Sequence, residues 1–514
     1  VEVIENADVT SVDAQGVTLA DGRKIAAQFV NGAAGARPHD WQATIGVDVQ
    51  DGFIKVNRAL QSSDPAIFAV GDCAHLSDNP RPKAGVFAVR QAPVLAANLR
   101  AVLSGGNLRD YHPQKDYLKL ISLGQKHAIA ERIGTAFQGA LLWKWKDHID
   151  RSFMDKFRTL PDMAGPNLPK VMAKGVTETL GDNPMCGGCG AKVGRGALRD
   201  VLAALPPATR DDVASIAGDD AAILHTGGQV QIMTTDHLRS FTDDTVLMTR
   251  IAAIHALGDA WAMGAAPQAV TANLILPRMS SQLQRRTMLE IMAVAQEVVT
   301  QAGADIVGGH SSLGEELTIG FSITGLCDAP PISIAGAKAG DVLILTKPIG
   351  SGVIMAAEMA GQARGADVAA AFDWMVMGQA KASDILSQAH AMTDVTGFGL
   401  AGHLSGICEA SDVAATLDLD AVPFMAGAVA LAQTGLRSSL FEDNRSGAGP
   451  VFGAQGAKGD LLFDPQTAGG LLAAVDARKA DALLAELLAA GYPAAIIGKI
   501  TDGAPAVQVI STPE

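Results

Sequence analysis

Aromatic residues make up only 4% of the 514-residue chain, and cysteines number five. An odd, sparse set of thiols excludes a disulfide framework and makes a reducing cytosol the expected compartment. Basic charge is also short: 40 Lys and Arg stand against 54 Asp and Glu, a net charge of −14. A general nucleic-acid binder would show a basic footprint, so no nucleic-acid partner is expected. No stretch of about 18 apolar residues runs free of charges and breakers, so no membrane-spanning helix is expected. Phosphate loops of the G-x-x-x-x-G-K-[ST] type are missing. The chain opens without Met or a signal-peptide pattern, on Val1-Glu2-Val3-Ile4, which reads as strand. A fragment with further residues upstream is the expectation.

What is present is an ordered globular composition, 48% hydrophobic and 18% charged. It is long enough for several cores of roughly 100–200 residues each. Residues 1–60 read as short strands and turns, with Asp21-Gly22 a hairpin signal. Residues 85–103 and 139–158 carry helical apolar spacing. In the second of these, Leu142, Trp145, Ile149, Phe153 and Phe157 fall on one face. Pro161, Pro166, Pro169 and Pro184 punctuate an aperiodic stretch read as a linker. Beyond it, strands and helices alternate. Residues 231–235 and 305–307 read as buried strands and residues 283–302 as a helix. Ala329-Pro330-Pro331 reads as a domain joint, followed by a second alternating unit.

Acidic residues recur beside glycine turns and at expected strand ends, as Asp219-Asp220, Asp236 and Asp394, and Asp259 falls in an expected helix starting near Thr249. Each alone reads more readily as a turn or cap residue. Together they could converge on a hard cation such as Mg²⁺, which takes oxygen ligands and bridges to phosphate. Gly308-Gly309-His310-Ser311, read as following a buried strand, could bring backbone N–H groups up to an anion. In Cys186-Gly187-Gly188-Cys189-Gly190-Ala191-Lys192 a thiol lies three residues from an ammonium that favours its thiolate, in a stretch read as flexible. A zinc site at Cys186 and Cys189 would be two ligands short.

Residues from about 180 to 510 resemble the selenophosphate synthetase (selenide, water dikinase) family of the aminoimidazole-ribonucleotide-synthetase-like superfamily. The resemblance rests on eight ordered blocks: Gly188-Cys189-Gly190-Ala191-Lys192, Asp219-Asp220-Ala221-Ala222, Thr234-Thr235-Asp236, Asp259-Ala260-Trp261-Ala262-Met263-Gly264, Gly308-Gly309-His310-Ser311, Thr346-Lys347-Pro348-Ile349-Gly350, Thr393-Asp394-Val395-Thr396-Gly397-Phe398-Gly399 and Asp464-Pro465-Gln466-Thr467-Ala468-Gly469-Gly470. It implies an α/β (α+β) two-subdomain fold and the reaction ATP + selenide + water → selenophosphate + AMP + phosphate, supplying selenium for selenocysteine and selenouridine synthesis. By the same resemblance Cys189 handles selenium and Lys192 contacts ATP phosphates. Asp220, Asp236, Asp259 and Asp394 hold Mg²⁺, and Asp219, Asp236 and Asp259 belong to the nucleotide site. Gly309, His310 and Ser311 match a nucleotide-contacting loop supplied by a dimer partner, so a homodimer is implied. Ala191 stands where some members carry a second Cys, and His255 stands where Asn is expected.

Residues 62–75, ending in Gly71-Asp72-Cys73-Ala74-His75, resemble the second flavin-binding motif of pyridine-nucleotide-disulfide-type oxidoreductases, type-II NADH-dehydrogenase branch. A buried strand over 67–70 would lead to Asp72, which the resemblance places on the FAD ribityl chain. The pyrophosphate-cradling G-x-G-x-x-G is absent, so FAD is expected only of a full-length fusion. The helix near 139–158 could rest on a membrane surface; docking on its own domain is favoured. The expected organisation is a partial FAD domain over 1–160, a linker and catalytic segment over 161–188, and subdomains over 189–335 and 336–514. An alternative reading is a flavin-dependent NADH oxidoreductase whose C-terminal part is regulatory. Other ATP-dependent enzymes of the superfamily are disfavoured by Cys189 and Lys192.

Overall fold

The computed structural model describes residues 4–32, 35–159, 171–174, 186–203, 210–214 and 218–511. Pro161, Pro166, Pro169 and Pro184 of the expected linker lie outside the described residues. The chain divides into two compact units, Val1–Thr159 and Leu160–Glu514.

The first unit holds three small sheets. One joins β1 (Val9–Asp13), β2 (Gly16–Leu19) and β3 (Lys24–Ala26), with Asp21-Gly22 turning between β2 and β3 as expected. The second joins β4 (Val49–Gln50), β5 (Phe53–Val56) and β6 (Ala74–Leu76). The third joins β7 (Lys119–Gly124), β8 (His127–Arg132) and β9 (Thr135–Gly139). Residues 67–70 are not the expected buried strand. The chain folds back there, with Ile67 N–H on Asp64 O, Ala69 N–H on Leu60 O, and a single bridge pairing Phe68 with Gln61. The helix Gly85–Ser104 is long and apolar enough to cross a membrane by length and composition, contrary to the sequence reading. Arg90, Pro93 and Arg100 interrupt its run without lowering the average below that level. The helix Ala140–Asp155 packs beside β8 but buries none of its side chains; Trp145, Ile149 and Phe153 stay exposed.

The second unit is built on two sheets. The first contains β10 (Val213–Ala214), β11 (Ala222–Thr226), β12 (Gln229–Arg239), β13 (Ala266–Pro277), β14 (Asp305–Gly314) and β15 (Thr318–Cys327), in the order β10-β11-β12-β15-β13-β14. Only β13 and β14 pair in parallel. The helix Thr245–Ala262 lies against this sheet. Asp244 caps it by accepting Leu247 N–H at 2.9 Å. It is apolar nearly all round and correspondingly buried: Ile251, Leu257 and Ala260 pack with Ile232, Leu274 and Phe321.

Two expected buried strands differ. β12 alternates, with Ile232 and Leu238 buried and Met233 exposed, because only one of its faces meets the core. β14 is the sheet's edge and is largely exposed, Val307 and Leu313 included.

The second sheet contains β16 (Val342–Leu345), β17 (Ala391–Asp394), β18 (Ala414–Asp418), β19 (Val451–Phe452), β20 (Leu471–Val475), β21 (Ala495–Thr501) and β22 (Ala506–Ile510). Its order is β17-β20-β16-β21-β18-β22-β19. Its central strands β16 and β20 are near-continuous apolar runs, buried on both faces, with the helices Gly399–Ser411 and Ala477–Ala489 among the elements packed on them.

Candidate active site

Three carboxylates meet where the two sheets of the second unit approach one another. Asp220 precedes β11, Asp259 lies in the last turn of Thr245–Ala262, and Asp394 ends β17. One oxygen from each lies within 4.8 Å of the others. Thr393 Oγ1 donates to Asp220 Oδ1 at 3.0 Å and Thr234 Oγ1 donates to Asp259 Oδ2 at 2.5 Å. Asp220 Oδ2 is buried without a partner. Burial and the neighbouring Asp394 charge push the pKa values of Asp220 and Asp259 well up. Burial pushes Asp394 up to about 6. Gly258 permits this approach: a Cβ there would meet Asp394 Oδ2 at 2.6 Å. Clustered like charges and an orphaned buried oxygen fit a divalent cation. Neighbouring Asp219 is set apart. Its Oδ1 accepts from Ile334 N at 3.3 Å, and burial pushes its pKa up to about 6.

Asp236 does not join this group. It sits mid-strand in β12, three residues short of the end, because pairing to β15 continues through Arg239 and Thr318. Its Oδ2 accepts from Lys192 Nζ at 2.7 Å and from His255 Nε2 at 2.9 Å. Burial opposes its charge, but His255 and Lys192 hold its carboxyl far below the usual range. Lys192, held by Asp236 and Cys189 against the cost of burial, stays charged.

The segment carrying Lys192 is folded inward rather than open. Cys189, in the 3₁₀ turn Gly188–Ala191, has no exposed surface, and its N–H reaches Thr467 Oγ1 at 3.4 Å. The glycines serve close packing: a Cβ on Gly187 would meet Ser240 O at 2.4 Å, and one on Gly397 would meet the Lys192 side chain at 2.6 Å.

The residue flagged only as a departure, His255, stands at the centre. Nδ1 faces the N–H of Ala468 at 3.2 Å, so Nδ1 accepts and, in the neutral ring, Nε2 carries the hydrogen. Nε2 faces both Asp236 Oδ2 and, at 3.4 Å, Cys189 Sγ. Burial opposes charge on the ring while Cys189 and Asp236 raise its pKa well above the usual value. The Ala468 N–H aimed at Nδ1 works against protonation, and its geometry decides for the neutral form. Ala468 itself has a left-handed backbone (φ 49°), and its carbonyl accepts from the buried Lys347 Nζ at 2.8 Å. Burial lowers Lys347 to about 7.

Gly309, His310 and Ser311 are not a loop. They lie within β14, paired with Ala272, Asn273 and Leu274, and are exposed. Gly309 is required by the sheet, since a Cβ would meet Ala272 O at 2.0 Å. In the first unit, Asp72 is exposed in the turn Gly71–Cys73. It edges a small cavity shared with Arg81 and Lys83.

Residues 218–327 match the family described as AIR synthase related protein, N-terminal domain, and residues 338–510 its C-terminal domain. The selenide, water dikinase of Myxococcus xanthus is 35% identical over 339 residues, 63% of this chain and 95% of that protein. The chain belongs to the selenide, water dikinase family. The dikinase of Geobacter metallireducens is 38% identical over 296 residues, 55% of this chain and 85% of that protein. Among solved structures, thiamine-monophosphate kinase from Stenotrophomonas maltophilia is 23% identical, covers 59% of this chain and 92% of its own, and gives a TM-score of 0.45. Ahead of the dikinase region, residues 1–92 match the family described as pyridine nucleotide-disulphide oxidoreductase. The fusion of the two families expected from the motifs is therefore present.

Proposed function

We propose that the second unit phosphorylates selenide with ATP and water, releasing selenophosphate, AMP and phosphate. One observation carries this reading: a carboxylate trio suited to a cation lies one helical turn from a Lys–Asp–His–Cys chain, since Asp259 and His255 stand four residues apart on the helix Thr245–Ala262. Asp220, Asp259 and Asp394 would hold Mg²⁺, which would neutralise triphosphate oxygens. Lys192 supplies a permanent positive charge to the phosphates, and Asp236 aims it. Cys189, buried beside His255 Nε2, would meet selenium out of water. Selenide-dependent AMP formation tests the reading, and ATP consumption yielding ADP without AMP would overturn it.

Two further readings belong with it. The exposed edge β14 is open for pairing with a second copy, which supports a homodimer, tested by sedimentation. The match over residues 1–92 supports an FAD site in a longer protein, tested by flavin absorbance of a chain extended upstream. All five cysteines are free, which supports the cytosol as its compartment.

A further inference from the structure

His403 lies in the helix Gly399–Ser411, outside every group of residues assigned above. Its two ring nitrogens have different partners. Nε2 faces the backbone N–H of Thr396 at 3.1 Å. A backbone N–H can only donate, so Nε2 accepts, and the hydrogen of the neutral ring sits on Nδ1. Burial holds the ring's pKa down to about 3, in agreement with that neutral form. Nδ1 faces Thr393 Oγ1 at 3.2 Å and therefore donates to it. The Thr393 hydroxyl, its lone pair engaged, has its own hydrogen for Asp220 Oδ1 at 3.0 Å, with the Asp394 carbonyl at 3.1 Å the competing acceptor. The His403 tautomer and its donation to Thr393 are thus set from one fixed end, Thr396 N–H, and leave Thr393 with a hydrogen to give. The result is a carboxylate with Oδ1 pinned by a donor and Oδ2 buried and unpartnered.

We propose that His403 is a positioning residue that acts through Thr393 to orient Asp220, so that its unpartnered Oδ2 faces the cation. His403 touches neither substrate nor metal; it fixes the hydroxyl that fixes the ligand. This rests on the reading that Asp220, Asp259 and Asp394 hold a cation. A ligand whose other oxygen is already bonded gives up less freedom on coordination. Loss of such supporting contacts typically weakens metal binding by about 10–100-fold.

The test is Mn²⁺ binding to the full chain without nucleotide, read as the loss of the free-ion electron paramagnetic resonance signal. Thr393→Val keeps the shape and removes the hydroxyl, and His403→Phe removes both ring nitrogens. Each should weaken Mn²⁺ binding about 10–100-fold. His403→Gln, whose amide oxygen and nitrogen can take the two nitrogens' places, should restore most of the loss. Metal-free melting is compared in parallel, and the binding loss should exceed anything a change in folded fraction explains. Wild type that binds Mn²⁺ together with Thr393→Val and His403→Phe that bind it equally well overturns the proposal and leaves the cation site standing. Wild type that binds none overturns the cation reading and this proposal with it, while selenide-dependent AMP formation judges the reaction separately.

Discussion

Four aspartates of the site divide into two groups that share a side chain and differ in what surrounds it. Asp220, Asp259 and Asp394 face one another, and their carboxyls are pushed toward the protonated form. Asp236 faces an ammonium and an imidazole and is held ionised. The second group has its counter-charge built into the chain as Lys192. Presence of an aspartate in a family block therefore does not by itself assign it to the metal.

The largest effect expected is on turnover. Lys192→Ala should lower selenide-dependent AMP formation on the order of 10³-fold, as loss of a main electrostatic group does. Cys189→Ala should abolish the selenide dependence, and coupled detection of AMP reads both. Next, the two groups should separate in stability. Asp236→Asn strips a largely buried partner from Lys192 and His255 and should cost on the order of 3 kcal/mol in urea unfolding in a metal chelator. Asp220→Asn relieves repulsion and should leave metal-free stability equal or higher while abolishing the Mg²⁺-induced rise in melting temperature. Equal losses in both variants would erase the distinction.

The pH dependence sharpens it further. Asp219 and Asp394, both pushed up to about 6 by burial, keep protons in the folded state that the unfolded chain has released above about pH 4. Their contribution to metal-free stability is full below about pH 4 and is lost as pH rises toward 6. A cation takes the deprotonated form, so the gain in melting temperature on adding Mg²⁺ should grow across that window. A gain that stays flat from pH 5 to 7.5 would show that these carboxyls do not titrate there. The smallest effect expected is for Gly258→Ala, whose methyl would displace Asp394 Oδ2. It should raise the Mg²⁺ concentration needed for half-maximal rate several-fold, with kcat less affected, in steady-state assays.

Asp220 and Asp394 abut local signals, a glycine turn and a strand end, but the convergence of Asp220, Asp259 and Asp394 is implied only by the resemblance of their blocks to the family. Asp236 lies mid-strand instead of at a strand end because pairing to β15, a distant strand, carries on to Arg239. β14 was misread as buried because Ile306 and Val307 look like core, and only sheet order reveals an edge. The chain-reversal at 61–68 depends on backbone bonds that apolar residues do not announce. His255 was visible as an oddity within an apolar helix, but its contacts to Cys189 and Asp236 join segments separated in sequence by 66 and 19 positions. His403 gave no signal beyond following a glycine-rich turn, since its partners are set by the fold.

Both imidazoles take their proton placement from main-chain amides, His255 from Ala468 and His403 from Thr396. Main-chain amides are common to every residue except proline. Drift in side-chain identity at positions 396 and 468 can therefore leave the protonation pattern of the site intact, provided the local backbone path is kept. The chemistry is inherited with the shape of the chain at those two points, and only proline would delete it outright.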